Sequence, residues 1–412
     1  MKKRVVITGM GAVSPVGNEL NDIWANLLAG KSGVRLIDSY EDPDIYSKIA
    51  GLVNDFSTDG YIDPKEARRM DLFIQYGLVA GIKAFRDSGL VINEKNTDRV
   101  GVIVSSGIGG MGTFSKQHEI LMTKGASRIS PFFVPMLIPN ILSGYLSINI
   151  GAKGPNLCVV TACASGTHSI GEAFKIIQRG DADAMLAGGA EAPVLPIGVG
   201  GFCALKALSA RNDEPTRASR PFDKDRDGFV IAEGAGVLML EDYEHAKARG
   251  AKIYAEIVGY GLSGDAYHIT APQDTGDGAI RAMKMAIQDA GIKPEDLQYI
   301  NAHGTSTDLN DPIETRAIKA VFGNHAQKLL INSSKSMSGH MLGAAGGFEA
   351  IVMALSIKNN KVHQTLNLEN PDPECDLNYV PGSPMNCEIQ YALSTSLGFG
   401  GHNGVVLFKK YE

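Results

Sequence analysis

The chain has 412 residues, 44% hydrophobic and 20% charged. These values fit a globular protein of two domains, or of one domain built from two large halves, with a core that needs neither metals nor disulfides. A net charge of -6 argues against a dedicated nucleic-acid binder, which is strongly basic. Five cysteines (Cys158, Cys163, Cys203, Cys375, Cys387) are an odd number without zinc-type spacing, so we expect free thiols in a reducing cytoplasm.

Lys2-Lys3-Arg4 has the charge of a signal peptide's start, but the apolar run behind it breaks at Gly9 and reads as a first strand, Val5–Gly9. Val100–Val104, Leu157–Thr161, Ala184–Gly188 and Val237–Leu240 follow, each short and uniformly apolar or β-branched, as buried strands are. A second series runs Ala255–Gly259, Tyr299–Ala302, Leu329–Asn332, Ala392–Leu397 and Val405–Phe408. Helical segments separate the strands. The third strands show the parallel best: one leads into a helix ending near Gly180, the other into a helix around Gly346–Ile357. The pattern predicts an α/β fold of two similar βαβαβαββ halves, residues 1–250 and 251–412. No stretch approaches the roughly 20 apolar residues of a membrane span. Segments 108–156 and 194–233 exceed what a crossover needs, and insertions of that size carry binding sites or subunit contacts.

Cys163 is placed at the end of the third strand, before Ala164-Ser165-Gly166 opening a helix. A helix start favours a thiolate and is expected to lower the thiol pKa from about 8.5; a structural cysteine is the equal alternative. His303 and His340 each lie just beyond a strand among glycines and hydroxyls, where α/β folds gather ligand sites. His118, His168, His245, His268, His325 and His363 lack that setting and read as structural. Phe399, between glycines in Gly398–Gly401, offers a backbone N–H for a developing oxyanion and a ring for a gate, unless it is a plain hairpin with one core aromatic. Gly107–Gly112 satisfies G-x-G-x-x-G, but no tidy βαβ unit or well-placed acid follows, so a dinucleotide site is rejected. No G-x-S-x-G, Walker A or H-E-x-x-H motif occurs.

Five motifs, in order along essentially the whole chain, now carry a resemblance. Thr8-Gly9-Met10-Gly11, Thr161-Ala162-Cys163-Ala164-Ser165-Gly166, His303-Gly304-Thr305-Ser306-Thr307, Lys335-Ser336-Met337-Ser338-Gly339-His340 and Gly398-Phe399-Gly400-Gly401 resemble the β-ketoacyl-acyl-carrier-protein synthases, above all the elongating type II branch. The resemblance implies a thiolase-like fold, duplicated halves in five αβαβα layers, and decarboxylative condensation of malonyl-carrier protein with an acyl chain held on Cys163. It implies an oxyanion hole from the N–H groups of Cys163 and Phe399, enolate stabilisation by His303 and His340, and support from Lys335 paired with Glu349. Ile108, Phe202 and Phe399 match positions lining the acyl pocket, and Thr305 and Thr307 match positions contacting phosphopantetheine. Asn301, Glu349 and Ser394 resemble a structural Na+ or K+ site; otherwise no cofactor is implied.

The implied partners are an acyl carrier protein and a second copy of the chain. A helix starting at Asp63-Pro64 would place Lys65, Arg68 and Arg69 on one face. With Arg128 and Lys206, which match basic family positions, they form a landing patch, or an ordinary solvated face. Where many relatives read Asn-Ser-Phe-Gly-Phe-Gly-Gly-Thr, this chain has Thr395 for the first residue, Leu397 for the phenylalanine and His402 for the threonine. The first change weakens the cation inference. A polyketide ketosynthase is the alternative enzyme, disfavoured by the absence of fused domains. Thiolases need a second catalytic cysteine, and a non-catalytic partner subunit would lack the nucleophile.

Overall fold

The computed structural model describes residues 2–37 and 42–412 of the chain. Ten strands form its main sheet. The first half supplies β1 (Val5–Val13), β2 (Val100–Ser105), β3 (Asn156–Leu157), β4 (Ala184–Glu191) and β5 (Gly234–Asp242). The second supplies β6 (Ala255–Gly264), β7 (Tyr299–Asn301), β8 (Leu330–Asn332), β9 (Tyr391–Gly398) and β10 (His402–Lys409). Their order is β8-β7-β9-β10-β6-β1-β5-β4-β2-β3. Outward from the central β1–β6 pair, each half runs through its first, fifth, fourth, second and third strand. The directions repeat too: the second strand pairs parallel with the third and fourth, and the other pairs are antiparallel. Two halves of low mutual sequence identity thus fold alike.

Seven helices matter for the site: α1 (Leu72–Ser88), α2 (Met111–Lys124), α3 (Ser165–Arg179), α4 (Pro196–Ala204), α5 (Asp277–Ala290), α6 (Asn310–Phe322) and α7 (Ala345–Asn359). α3 and α7 pack against strands of both halves, whereas α1 covers only first-half strands and α5 only second-half ones. The result is five layers: helix, one half of the sheet, paired central helices, the other half of the sheet, helix. Composition explains the middle. Every residue of α7 from Ala345 to Ile357 is buried, and a helix apolar on nearly every side, Glu349 and Ser356 apart, is stable only where both sides are covered. Ile351, Val352, Met353 and Leu355 fill the central apolar cluster with Ile170, Phe174 and Ile177 of α3. Each such side chain contributes about 1.5–3 kcal/mol by leaving water.

The expected strand Leu157–Thr161 is largely absent. Only Asn156–Leu157 pairs, at the sheet edge, and Leu157 and Val160 are half exposed. Serine hydroxyls take the backbone groups that a ladder would otherwise use. Val159 N–H donates to Ser105 Oγ (2.9 Å), and Ser143 Oγ donates to the Leu157 carbonyl (2.8 Å). Side-chain competition of this kind ends a strand early, so Cys163 belongs to a turn and not to a strand end.

Candidate active site

Cys163 sits in a 3-10 turn, Ala162–Ala164, that opens α3. Ala162 has φ 51°, the left-handed region that costs a non-glycine residue about 1 kcal/mol. Thr161 N–H donates to Ser165 Oγ (2.9 Å), and that hydroxyl donates to the Ala162 carbonyl (2.7 Å). The second half repeats the turn. Leu342, at φ 46°, opens Leu342–Ala344 before α7, and Gly343 stands where Cys163 stands. The duplication therefore holds two such turns, and one of them carries a thiol.

A cavity of about 380 Å³ reaches Cys163 and is lined also by Phe202, Phe229, His303, His340 and Phe399. The Phe202 ring meets Phe229 edge-on at 5.3 Å and lies 6.3 Å from Phe399, giving one apolar wall. Thr305 and Thr307 line the same cavity, their hydroxyls 2.9 Å apart. Burial pushes the Cys163 thiol up to about 12, against the pull of Lys335 and of the N–H groups of Cys163 and Phe399. This reverses the lowered pKa expected at a helix start, because desolvating the sulfur outweighs the partial positive charge there. The same two N–H groups lie close enough to the sulfur to act on its charge.

His303 follows β7. Its N–H donates to Glu314 Oε1 (2.8 Å) and Thr395 Oγ1 (3.0 Å), and Gly304 N–H donates to Glu314 Oε2 (2.8 Å). His340 follows the short helix Lys335–Ser338, and its N–H donates to the Val230 carbonyl (2.8 Å). The two rings meet edge to face, 5.2 Å apart at 87°. Nδ1 of each is buried without a protein partner, which leaves Nε2 to reach the cavity. Burial drives both histidines well below 6.5, and Lys335 adds to the effect. Both are neutral at pH 7. Behind them Lys335 forms a fully buried ion pair with Glu349; burial raises the Glu349 pKa and Lys335 opposes the rise.

The remaining predicted residues divide. Ile108 packs in one apolar cluster with Cys163 and Phe202 but lies outside the cavity lining. Asn301 Oδ1, Ser394 Oγ and Glu349 Oε2 are all buried with no protein partner. Thr395, the departure from the relatives' asparagine, donates to Glu314 Oε1 (2.6 Å) and so helps hold the His303 backbone. Asp63 caps the basic helix as expected, but that helix, Pro64–Ala67, is one turn long. Arg69 pairs with Glu66 (3.4 Å) and lies over the Phe132 ring at 4.6 Å. Lys65, Arg68, Arg128 and Lys206 are exposed, and Lys206 also lines the cavity.

Sequence reading missed Glu191 and Glu314. Glu191 is 1% exposed and accepts from Ser106 Oγ, Gly107 N–H (2.8 Å), Ile108 N–H (3.2 Å) and Gly343 N–H (3.0 Å). The loop that mimics a dinucleotide fingerprint thus wraps a carboxylate of its own chain. A lone acid closing the apolar run Ala184–Ala190 was the one signal for it. Glu314 had none, since acids are ordinary on a helix.

Two family models match the chain: "Beta-ketoacyl synthase, N-terminal domain" over residues 2–246 and "Beta-ketoacyl synthase, C-terminal domain" over residues 254–369. The curated 3-oxoacyl-[acyl-carrier-protein] synthase 2 of Staphylococcus aureus (strain COL) is 57% identical over 410 residues, covering 100% of this chain and 99% of that protein. The protein of the same name from Synechocystis sp. is 53% identical over 411 residues, with the same coverage. Among solved structures, a beta-ketoacyl synthase from Burkholderia phymatum superposes with a TM-score of 0.92 at 37% identity over 100% of both chains. A type II PKS ketosynthase, solved with its acyl-carrier protein and bound to the hexaketide, gives 0.91 at 37% identity over 100% of both.

Proposed function

The chain belongs to the beta-ketoacyl synthase family, and we propose that Cys163, His303, His340 and Lys335 perform its chemistry. The reaction is the condensation of fatty acid elongation: malonyl-carrier protein joins a cysteine-bound acyl chain, with loss of carbon dioxide, to give 3-oxoacyl-carrier protein. The observation that supports this assignment is one cavity bordered by a buried thiol, two neutral histidines and an apolar wall.

Cys163 Sγ attacks the acyl-carrier thioester, its proton passes to the departing carrier thiol, and the acyl chain remains on the enzyme. The transient oxyanion accepts the N–H groups of Cys163 and Phe399; one such donor is worth about 3–4 kcal/mol. The malonyl thioester then breaks its bond to the carboxylate. The electron pair becomes an enolate whose oxygen accepts hydrogen bonds from Nε2–H of His303 and His340. The enolate carbon attacks the acyl-cysteine carbonyl, the carbon–sulfur bond breaks, and the Cys163 thiolate takes a proton from water. Neutral imidazoles suit the task, because they donate hydrogen bonds without surrendering a proton. Burial keeps them neutral, Lys335 adds to the effect through its charge, and Lys335 is itself held by Glu349. The nucleophile comes from residues 1–250 and the histidines from 251–412, so one site needs both halves.

Lys65, Arg68, Arg128 and Lys206, with Arg69 partly engaged, receive the acidic carrier protein, and Thr305 and Thr307 its phosphopantetheine. A second copy covers the insertion after β2, where Met122, Val134, Ile148 and Leu157 expose apolar surface, a state that single chains avoid. Asn301 Oδ1, Ser394 Oγ and Glu349 Oε2, buried oxygens without partners, fit a Na+ or K+ ion, which would supply fixed positive charge behind Lys335. Five unpaired cysteines suit the cytoplasm, and among the described residues no helix is long and apolar enough to cross a membrane.

The deciding experiment incubates the protein and Cys163→Ala with malonyl- and acyl-carrier protein and reads products and enzyme by mass spectrometry. A ketoacyl product two carbons longer, with an acyl adduct that the variant lacks, is expected. No adduct with any acyl donor would sink the nucleophile assignment.

A further inference from the structure

The oxyanion hole draws one N–H from each half of the molecule, Cys163 at the start of α3 and Phe399 in the turn between β9 and β10. Something must hold these two turns in register. Two consecutive residues of α3 reach across. Thr167 Oγ1 lies 2.6 Å from Ser396 Oγ of β9, and His168 Nε2 lies 3.2 Å from the Asn403 carbonyl of β10. They grip both legs of the hairpin that carries Phe399. The other ring nitrogen of His168 lies 2.8 Å from Thr161 Oγ1, two residues before the nucleophile. A carbonyl only accepts, so Nε2 carries the hydrogen, and Nδ1 accepts from the Thr161 hydroxyl. Burial, with His402 nearby, holds the His168 pKa below its ordinary value, so the ring stays neutral. Gly404 leaves it room: a β-carbon there would stand 2.8 Å from the imidazole.

We propose that His168 is a positioning residue that sets the distance between the two halves of the oxyanion hole. The duplicated fold supplies an internal control. α3 and α7 are both 15 residues long and follow the same turn, so His168 occupies the place that Phe348 occupies in the other half. Phe348 is fully buried, so the other half carries an aromatic hydrocarbon at the equivalent place. Beside its edge-on contact with Tyr260, the imidazole makes two hydrogen bonds that a phenyl ring cannot make. This inference rests on the oxyanion hole assigned above.

The test separates the two half-reactions. Acyl transfer to Cys163 uses the oxyanion hole, whereas decarboxylation of malonyl-carrier protein uses His303 and His340. His168→Phe, which copies the other half, should slow acyl transfer about 10- to 100-fold, part of the loss for a whole donor, and leave decarboxylation within about twofold. His168→Gln, which keeps a donor for the Asn403 carbonyl, should recover most of the rate. Should His168→Phe fail to fold, Thr161→Val removes the second bond and should show the same split, more weakly. Equal losses in both half-reactions, or no loss in a folded variant, would overturn the proposal. Wild type that never acylates Cys163 would instead overturn the assignment of the reaction, so the two failures are distinguishable.

Discussion

Gly398 presses so closely on Thr161 that a β-carbon on it would stand 2.7 Å from the Thr161 carbonyl oxygen and 3.3 Å from the Cys163 nitrogen. The last residue of β9 thus presses on the turn that carries Cys163, and the contact is with backbone, which cannot swing aside.

Gly398→Ala should therefore push the Phe399 N–H away from the sulfur. We expect a fall in kcat of about 100-fold, the size of one lost oxyanion donor, and a lower thermal midpoint, since crowding backbone costs about 1–3 kcal/mol. Steady-state kinetics beside a melting curve checks it; an unchanged kcat would show that the two turns tolerate separation.

The raised Cys163 pKa predicts slow, steeply pH-dependent alkylation. Only a thiolate reacts, and with the thiol at about 12 its population grows about tenfold per pH unit. The iodoacetamide rate should rise with that slope from pH 7 to 10. Lys335, Glu191 and the N–H groups of Cys163 and Phe399 are the groups acting on the sulfur, and His303 and His340 stay neutral throughout this range. A plateau below pH 8 would mean that the helix start wins after all.

The buried Lys335–Glu349 pair offers a double-mutant separation of stability from chemistry. Lys335→Met alone leaves Glu349 uncompensated and should cost about 3–5 kcal/mol, while Lys335→Met with Glu349→Leu should recover most of it. Activity should stay lost in both, since the charge acting on the histidines is gone. Denaturant titration and a decarboxylation assay read the two effects.

His363, fully buried, is held at about 4 by desolvation, whereas the unfolded chain binds its proton near 6.5. Its contribution is complete above pH 6.5 and is lost as pH falls towards 4, worth about 3 kcal/mol. His363→Asn should flatten the stability curve across that window in urea titrations; an unaltered slope would place the proton uptake elsewhere.

Reversing the charges of Lys65, Arg68 and Arg69 should raise KM for carrier-bound substrate several-fold with kcat preserved, an effect that fades with salt. The smallest change should come from Arg69, which is already engaged by Glu66 and Phe132. An unchanged KM would return these residues to an ordinary solvated face.

What the sequence determined by itself was the series of strands and the residues that punctuate them. Val5–Gly9, Ala184–Gly188 and Ala392–Leu397 announce buried strands because burial on both faces leaves a local apolar signature. Cys163, His303, Lys335, His340 and Phe399, the residues proposed for the site, could be singled out because each lies in a short run of glycine, alanine and hydroxyl residues that resembles a family motif. The tertiary structure decided what depends on neighbours remote in the chain. The thiol's pKa reversed because solvent exclusion is a property of the folded pocket, not of Ala162–Gly166. The third strand shortened because hydroxyls of Ser105 and Ser143, distant in sequence, claimed its backbone. Glu191, Glu314 and His168 acquired their roles across 85, 11 and 235 residues of chain, and hydrogen bonds closed over such separations leave no periodicity to read.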